Sequence, residues 1–385
     1  MKKLIALLLA VMLLVPAFAL ADDLPVVKIG VFEPASGDSG AGGKQETLGV
    51  QYANYIQPTV EIGGTTYKVE LVIADNGSSP DKAPSAAQKL VSENVSVVLG
   101  TYGSSVAIAG SPIFEAASVP VIGLTCTNPQ VTLGNSHYFR VCFLDPFQAT
   151  VLANYVKNTL GANTVYCLGE LGNDYDQGLI TYFKQDFEAL GGTVIPDSFT
   201  NGTSDFTSFL TNATFYGADI FFAPVSIAYS TRIIQQAQAQ GLEITILGSD
   251  TMDSNVVVEA AKGTNQKVVI STFYQEGASP EFDNGFKAWL NENPDMLTNN
   301  GGNDMVAAMS VMAYDGYFMA LEALKNAGSI NGADVMAALP TTEIDGVSGH
   351  IKFDENGDAI RTSAYVKMIN TEKGEWEFVA EQTVE

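Results

Sequence analysis

Strand-like and helix-like segments alternate along this chain with few interruptions, and that rhythm restricts the fold more than any single motif does. Val26–Phe32 (VVKIGVF) alternates apolar and polar residues with the period of two that a half-buried strand needs. A Gly/Ser loop over Ser36–Gly43 leads into a helical stretch carrying Leu48, Tyr52, Tyr55 and Ile56. Tyr67–Ala74 is a second strand, and Pro80 and Pro84 suit the first turn of a helix running through Leu90 and Val91. Val95–Leu99 and Val119–Leu124 continue the series on either side of an Ala-rich helix. After Tyr138–Phe143 a second series begins. Helices at Phe147–Leu160, Leu179–Leu190, Phe206–Thr211 and Tyr229–Gln240 separate strands at Thr164–Leu168, Thr193–Ile195, Asp219–Val225 and Ile244–Leu247. Gly191-Gly192 and Gly241 supply helix stops. Strands that read as continuous apolar runs, separated by helices, imply parallel sheets covered on both faces. Two such series predict an α/β chain of two doubly wound lobes, a division that suits 385 residues. A further strand at Val268–Tyr274, a long helix with Met305, Ala308, Met309, Met312 and Ala313, and antiparallel strands at Gly349–Phe353 and Ala364–Ile369 complete the pattern.

Residues 1–21 read as an export address. Lys2 and Lys3 precede an apolar run from Leu4 to Val15, and Ala19-Leu20-Ala21 forms an A-x-A cleavage signal before Asp22-Asp23. The run is too short for a membrane anchor and is followed by Pro16; no Cys stands at the exit for lipid attachment. A periplasmic or otherwise extracytoplasmic location is expected. Disulfides persist in such compartments, but the three cysteines, 126, 142 and 167, are an odd number. Cys126 and Cys142 are close enough in sequence to pair, yet both lie in apolar segments where a buried free thiol is common, so both states stay open.

Charge and motif content remove several functions. Asp and Glu total 43 against 19 Lys and Arg, a net −24, which argues against nucleic acid and anionic membranes as partners. Two histidines, His137 and His350, are too few for a His-ligated zinc site. There is no GxSxG, no Walker A lysine and no GxGxxG after the first strand, so neither an enzyme nor a cofactor is expected. Asp354-Glu355-Asn356-Gly357-Asp358 lacks the spacing of a calcium loop and reads as a hairpin turn.

The order of motifs resembles the type I periplasmic binding proteins, in the branched-chain amino-acid (Leu/Ile/Val) binding branch of ABC importers. The matching residues run through most of the chain: Ile29-Gly30, Ser36-Gly37, Gln45-Glu46, Gly100 through Ser105, Pro120 with Thr125 to Thr127, and Phe139-Arg140. Gly172-Asn173-Asp174-Tyr175 with Gly178, Asp205-Phe206, Gly248-Ser249-Asp250 and Tyr314-Asp315-Gly316 continue it. The resemblance implies two lobes, 22–143 with 274–350 and 144–273 with 351–385. Three segments would join them, near Arg140–Asp145, Ile270–Tyr274 and Gly349–Asp354. It further implies a monomer that closes over a small ligand, a branched-chain amino acid or a relative of one, and delivers it to a membrane permease. An exported sensor of the same fold, docking on a membrane receptor, is the alternative that the residues leave standing.

Open parallel sheets bind ligands beyond the carboxyl ends of their strands, and the candidate residues sit there. Tyr102-Gly103-Ser104-Ser105 follows a strand and opens a helix, whose N–H groups and Ser104 hydroxyl would cradle a carboxylate; a plain N-cap is the competing reading. Thr125-Cys126-Thr127 follows the next strand, and in the family this segment takes the ligand's ammonium and carboxylate; a locally bonded turn is the alternative. Asp250, in the resemblance, faces the ammonium from the second lobe, with Asp253 a nearby competitor and helix capping the simpler role. Tyr175 matches the aromatic residue that covers the ligand backbone. Ser226 stands where relatives often carry Tyr, and Gly42 where they often carry an aromatic. Tyr102 is placed to fill part of that volume, so the side-chain pocket differs from one for leucine or valine.

Overall fold

The computed structural model describes residues 24–383; the leader read at 1–21 lies outside them. The first half of the chain forms β1 (Val26–Glu33), α1 (Gly40–Ile56), β2 (Thr59–Ile62), β3 (Thr65–Asp75), α2 (Ala83–Ser92), β4 (Val97–Leu99), α3 (Ser104–Ala116), β5 (Val121–Gly123) and β6 (Tyr138–Arg140). The second series is α4 (Asp145–Asn154), β7 (Thr164–Glu170), α5 (Asp174–Ala189), β8 (Thr193–Phe199), α6 (Thr207–Phe215), β9 (Ile220–Phe222), α7 (Ile227–Ala239), β10 (Thr245–Leu247), α8 (Asn255–Ala261) and β11 (Val268–Thr272). The last part holds α9 (Pro280–Glu292), α10 (Pro294–Asn299), α11 (Ala308–Ala327), α12 (Gly332–Ala338), β12 (Glu343–Gly346), β13 (Gly349–Lys352), β14 (Ser363–Asn370) and β15 (Glu375–Thr383).

Two sheets result, as the alternation predicts. The first runs β2-β3-β1-β4-β5-β6 and is parallel except where β2 returns on β3. The second runs β15-β14-β11-β10-β9-β7-β8, parallel from β8 to β11 and antiparallel through β14 and β15. β4, β5 and β11 are buried at every position, which is why they carry apolar runs, and β1, whose sequence alternates, is nevertheless buried on both faces from Ile29 onward. The hairpin β12–β13 stands apart.

Three strands carry little apolar signal in the sequence. β2 is short and joined to β3 by Gly63-Gly64, β12 reads EIDG, and β15 is an edge strand with three acids. Gly40–Gly43, expected as loop, instead opens α1. The glycines permit close packing there: a Cβ on Gly43 would stand 2.3 Å from the Pro34 carbonyl oxygen. The expected helix from Phe147 to Leu160 begins two residues earlier, at Asp145, and widens at 155–159.

α11 returns to the first sheet and packs beside α1, where Tyr52 meets Phe282, Phe286, Trp289 and Tyr314. The chain passes between the sheets after β6, after β11 and again before β14. These passages are stitched together. Phe143 and Phe273 stack with ring centroids 4.2 Å apart, and Arg361 donates to the carbonyls of Val141 (Nη2, 2.8 Å) and Ser348 (Nη1, 2.8 Å). Residues 353–359 still lie against the first sheet: Arg140 bridges Asp358, and Phe139 packs on Phe353. The Asp354–Asp358 turn thus has a structural task, since Asp358 accepts from the Arg140 Nε.

Arg140 is fully buried and uses its guanidinium on three further acceptors: Nη1 reaches the carbonyls of Cys126 (2.7 Å) and Asn128 (2.6 Å), and Nη2 the Thr132 hydroxyl (2.8 Å). It ties the loop after β5 to the chain's third passage. Removing one partner of a buried ion pair leaves the other without compensation. Arg140→Leu is therefore expected to lower unfolding free energy by about 3–5 kcal/mol, read as a shift of the urea midpoint; a shift within error would show that the pair carries no net stability.

Candidate functional site

Both sheets change winding direction beside a strand that ends in an acid. β1 has β3 on one side and β4 on the other; β7 has β8 and β9. Such switch points open a crevice at the carboxyl ends of the strands. Glu33 ends β1 and Glu170 ends β7, while the loops after β4 and β9 carry Gly100–Ser105 and Ser226. The two crevices face one another across a cavity of about 530 Å³ lined from both sides, with Tyr102, Ser104 and Ser105 on one wall and Tyr175, Asp176 and Ser226 on the other. A larger cavity, about 740 Å³, lies among β2, α11 and β12 on the first lobe, away from both switch points.

The cleft is closed. The Tyr102 hydroxyl donates to the Thr251 carbonyl (2.8 Å), the Asp174 N–H to Ser105 Oγ (2.9 Å), and Asn128 Nδ2 to the Asp174 carbonyl (2.8 Å). At the rim the Tyr229 hydroxyl donates to Asp38 (2.9 Å). All four bonds cross from one lobe to the other.

Deeper in, Asp250 is 1% exposed. Its Oδ1 accepts from the Tyr175 hydroxyl (2.6 Å) and Gln148 Nε2 (2.7 Å). Burial pushes its carboxyl up to about 6, with the two bonds opposing the shift. Asp145, whose N–H donates to the Thr127 carbonyl (3.0 Å), is buried and has no hydrogen-bond partner on either carboxyl oxygen. Burial and then the nearby Asp250 charge raise it to about 8. Glu33 and Glu46 form a buried pair, both pushed up by burial, that is held by the Tyr102 N–H on Glu33 (2.9 Å) and the Thr125 hydroxyl on Glu46. Thr127 Oγ1, Glu46 Oε2, Gln148 Oε1 and Ser226 Oγ are buried without partners.

The expected residues are gathered unevenly. Ser104 is buried at the start of α3, and its Oγ accepts the Asn128 N–H (3.2 Å), leaving the hydroxyl proton free to donate. Gly103 precedes it in extended conformation. Tyr175 and Asp250 come together, Tyr175 bonding both Ser249 Oγ (2.7 Å) and Asp250, whereas Thr127 is buried beside Asp145; none of Thr125, Thr127 and Asp250 lines the cavity itself. Tyr102 fills the space beside Gly42, where an added Cβ would sit 2.3 Å from its ring. Ser226 precedes α7 without capping it and lines the cavity. Thr125 turns its hydroxyl to Glu46. The Cys126 side chain is not brought to the cleft: its sulfur packs under Gly123 and Tyr138 in the core of the first lobe, because Arg140 holds its carbonyl. Cys126, Cys142 and Cys167 are all buried free thiols. Asp253 is also withdrawn, in a buried ion pair with Lys367 (2.9 Å) and a bond from the Thr272 hydroxyl (2.6 Å). Among the described residues no group of three His, Cys, Asp or Glu is arranged to hold a metal.

Glu33, Glu46, Asp145, Gln148 and Asp176 join the site without having been singled out as ligand contacts. Glu33 was findable, as the terminal residue of a strand at its carboxyl end. Glu46 and Gln148 lie within helices and Asp145 opens one, where spacing carries no such mark.

The comparisons with known proteins agree with this geometry. The sequence profile of the periplasmic binding proteins matches residues 26–375. An amino acid binding protein of Pseudomonas aeruginosa is 28% identical over 380 residues, spanning 97% of each chain. The crystal structure of the leucine binding protein LivK of Thermotoga maritima superposes with a TM-score of 0.81 at 32% identity, covering 93% of this chain and 99% of that one. LivJ of Streptococcus pneumoniae, solved with isoleucine, gives 0.79 at 24% identity, covering 93% and 99%. With two doubly wound lobes closed over one crevice, the chain belongs to the periplasmic binding proteins, a solute-binding family, in the type I branch that includes the branched-chain amino-acid binding proteins.

Proposed function

We propose that this protein captures an α-amino acid between its lobes in an extracytoplasmic compartment and delivers it to the permease of an ABC importer. The observation that carries the reading is a buried carboxyl on the second lobe, Asp250, fixed by Tyr175 and Gln148, together with hydroxyls on the first lobe that have donor capacity to spare, on Ser104 and Thr127. A zwitterion needs both halves. Its ammonium goes to Asp250, where a charge-assisted bond forms in a dry site, and its carboxylate to the N–H groups at the start of α3 and to the two hydroxyls. Burying either charge alone would be unfavourable by several kcal/mol, so the ligand is held only when both lobes are in contact. Hinge motion about the three stitched passages opens and shuts the cleft.

The lobe division follows the sheets: among the described residues the first lobe comprises 24–143 with 274–359, and the second 144–273 with 360–383. The third passage is then placed after Ala359 rather than at Gly349–Asp354, since Arg140 and Phe139 hold 353–359.

Isothermal calorimetry with a panel of α-amino acids tests the reading; binding by at least one is expected, and none by the same compounds as N-acetyl derivatives. Asp250→Asn should weaken binding at least about tenfold, the scale for removing one partner of a buried charge pair. Unchanged affinity would take Asp250 out of the site. Affinity should also fall by up to about tenfold between pH 7 and pH 5, as Asp250 protonates.

The same raised carboxyls set a stability trend without added ligand. A group raised in the fold stabilises it below its unfolded value and loses that contribution as pH climbs through the folded one. For Asp250 and Asp145 the loss runs through about 6 and about 8. The unliganded chain is therefore expected to melt at higher temperature at pH 5.5 than at pH 8.5, with Asp145→Asn flattening the difference. A higher Tm at pH 8.5 would contradict it.

A further inference from the structure

We propose that the ligand carries a second positive charge, on its side chain: an amino acid ending in an ammonium or guanidinium rather than an aliphatic group. This rests on the reading of the cleft as an α-amino-acid site and extends it to the far end of the ligand. Beyond Tyr102 and Tyr175 the cavity continues outward between the lobes, and its wall there carries four carboxyls, Asp38 and Asp81 from one side and Glu170 and Asp176 from the other. No Lys, Arg or His lines it; Lys82, whose Nζ comes up against Gly77, is not part of the wall.

Asp176 is the telling member. It is 1% exposed, accepts the Glu170 N–H on Oδ2 (2.8 Å) and is in no ion pair among the described residues. Beside it, the Ser226 hydroxyl is buried and unpartnered on the same wall. Glu170 is anchored by Asn201 (2.7 Å) and Asp38 by Tyr229 (2.9 Å), so both are held in place rather than left to swing into water. Deeper between the lobes, outside the cavity wall, Asp145 is buried with no hydrogen-bond partner on either oxygen.

An aliphatic side chain entering this space would strip water from carboxyls and a hydroxyl and give nothing back. A cationic end would supply the missing partner to Asp176, while its methylene stem or guanidinium plane lies along the Tyr102 and Tyr175 rings. The apolar volume that a branched side chain would use is reduced besides, because the Tyr102 ring stands against Gly42. A net charge of −24 draws such a ligand toward the mouth.

Calorimetry and thermal shift on the purified chain with L-arginine, L-lysine, L-leucine and L-isoleucine decide the matter. Arginine or lysine is expected to bind at least tenfold more tightly than leucine, with affinity that falls as sodium chloride is raised. Asp176→Asn, and at the half-exposed rim Glu170→Gln, should each lower the arginine-to-leucine affinity ratio at least fivefold. The second variant keeps the test open if the first does not fold. Leucine or isoleucine binding as tightly as the basic amino acids would overturn the inference and leave amino-acid capture intact. No response to any α-amino acid would overturn both.

Discussion

Carboxyl groups taken out of water without a cation beside them organise this molecule. Asp250, Asp145, Glu46, Glu33 and Asp176 are all buried where the two sheets meet. Water would hydrate them at almost no free-energy penalty, whereas the closed cleft gives them only hydroxyls, amides and one another. Their protonation therefore shifts upward, and the closed arrangement is less stable than its packing alone would make it. The proposed cationic ligand would relieve that penalty directly. Binding and closure become one event, because the acids belong to both lobes and are fully desolvated only when the lobes touch.

Such a site needs walls that do not yield to the charge they hold. The first lobe anchors its part through Arg140, which ties the loop after β5 to the 353–359 turn while staying clear of the ligand acids by pairing with Asp358. The second lobe does the same with Lys367 and Asp253: Asp253 sits three residues from Asp250 and keeps the lobe's buried cation, Lys367, paired with itself. Both buried cations are spoken for, so neither neutralises the cleft. The passages between lobes are laced by the Phe143–Phe273 stack and by Arg361, which touches only backbone carbonyls and the Ser348 hydroxyl. Bonds to carbonyls on several passages keep them side by side while leaving their own dihedrals as the place where bending occurs.

The fold was legible because its central strands are buried on both faces, so that β4, β5 and β7 announce themselves as apolar runs, while β1 shows itself by alternation. β2, β12 and β15 did not, since an edge or hairpin strand needs only one apolar face and these have little of that. Ser104, Thr127, Tyr175 and Asp250, the residues proposed to meet the ligand, are picked out by their place just after strands. Cys126 could not be separated from its neighbours that way: three consecutive residues share a loop, and only Arg140's grip on the Cys126 carbonyl decides which side chain faces inward. Asp253 failed for a similar reason, because its partner Lys367 comes from β14, 114 residues away. Glu46 and Gln148 lie on helices whose exposed and buried faces the sequence does distinguish, but whose buried polar positions look like errors until the opposite lobe is in view.

The volume of the side-chain pocket is set by an exchange between two positions. Where Gly42 leaves a gap at the start of α1, the Tyr102 ring moves in from the loop after β4 and reaches across to the Thr251 carbonyl. The ring thereby stands between the buried Asp250 carboxyl and the cavity bordered by Glu170 and Asp176. Its hydroxyl is within reach of the charges of Asp250, Glu46 and Asp176, which together with burial keep the phenol protonated and donating. A smaller residue at 102 would enlarge the cavity and remove one of the direct bonds that hold the lobes together. Specificity and closure thus depend on the same side chain, and the fold can change its ligand by trading bulk between α1 and the β4 loop while both sheets stay as they are.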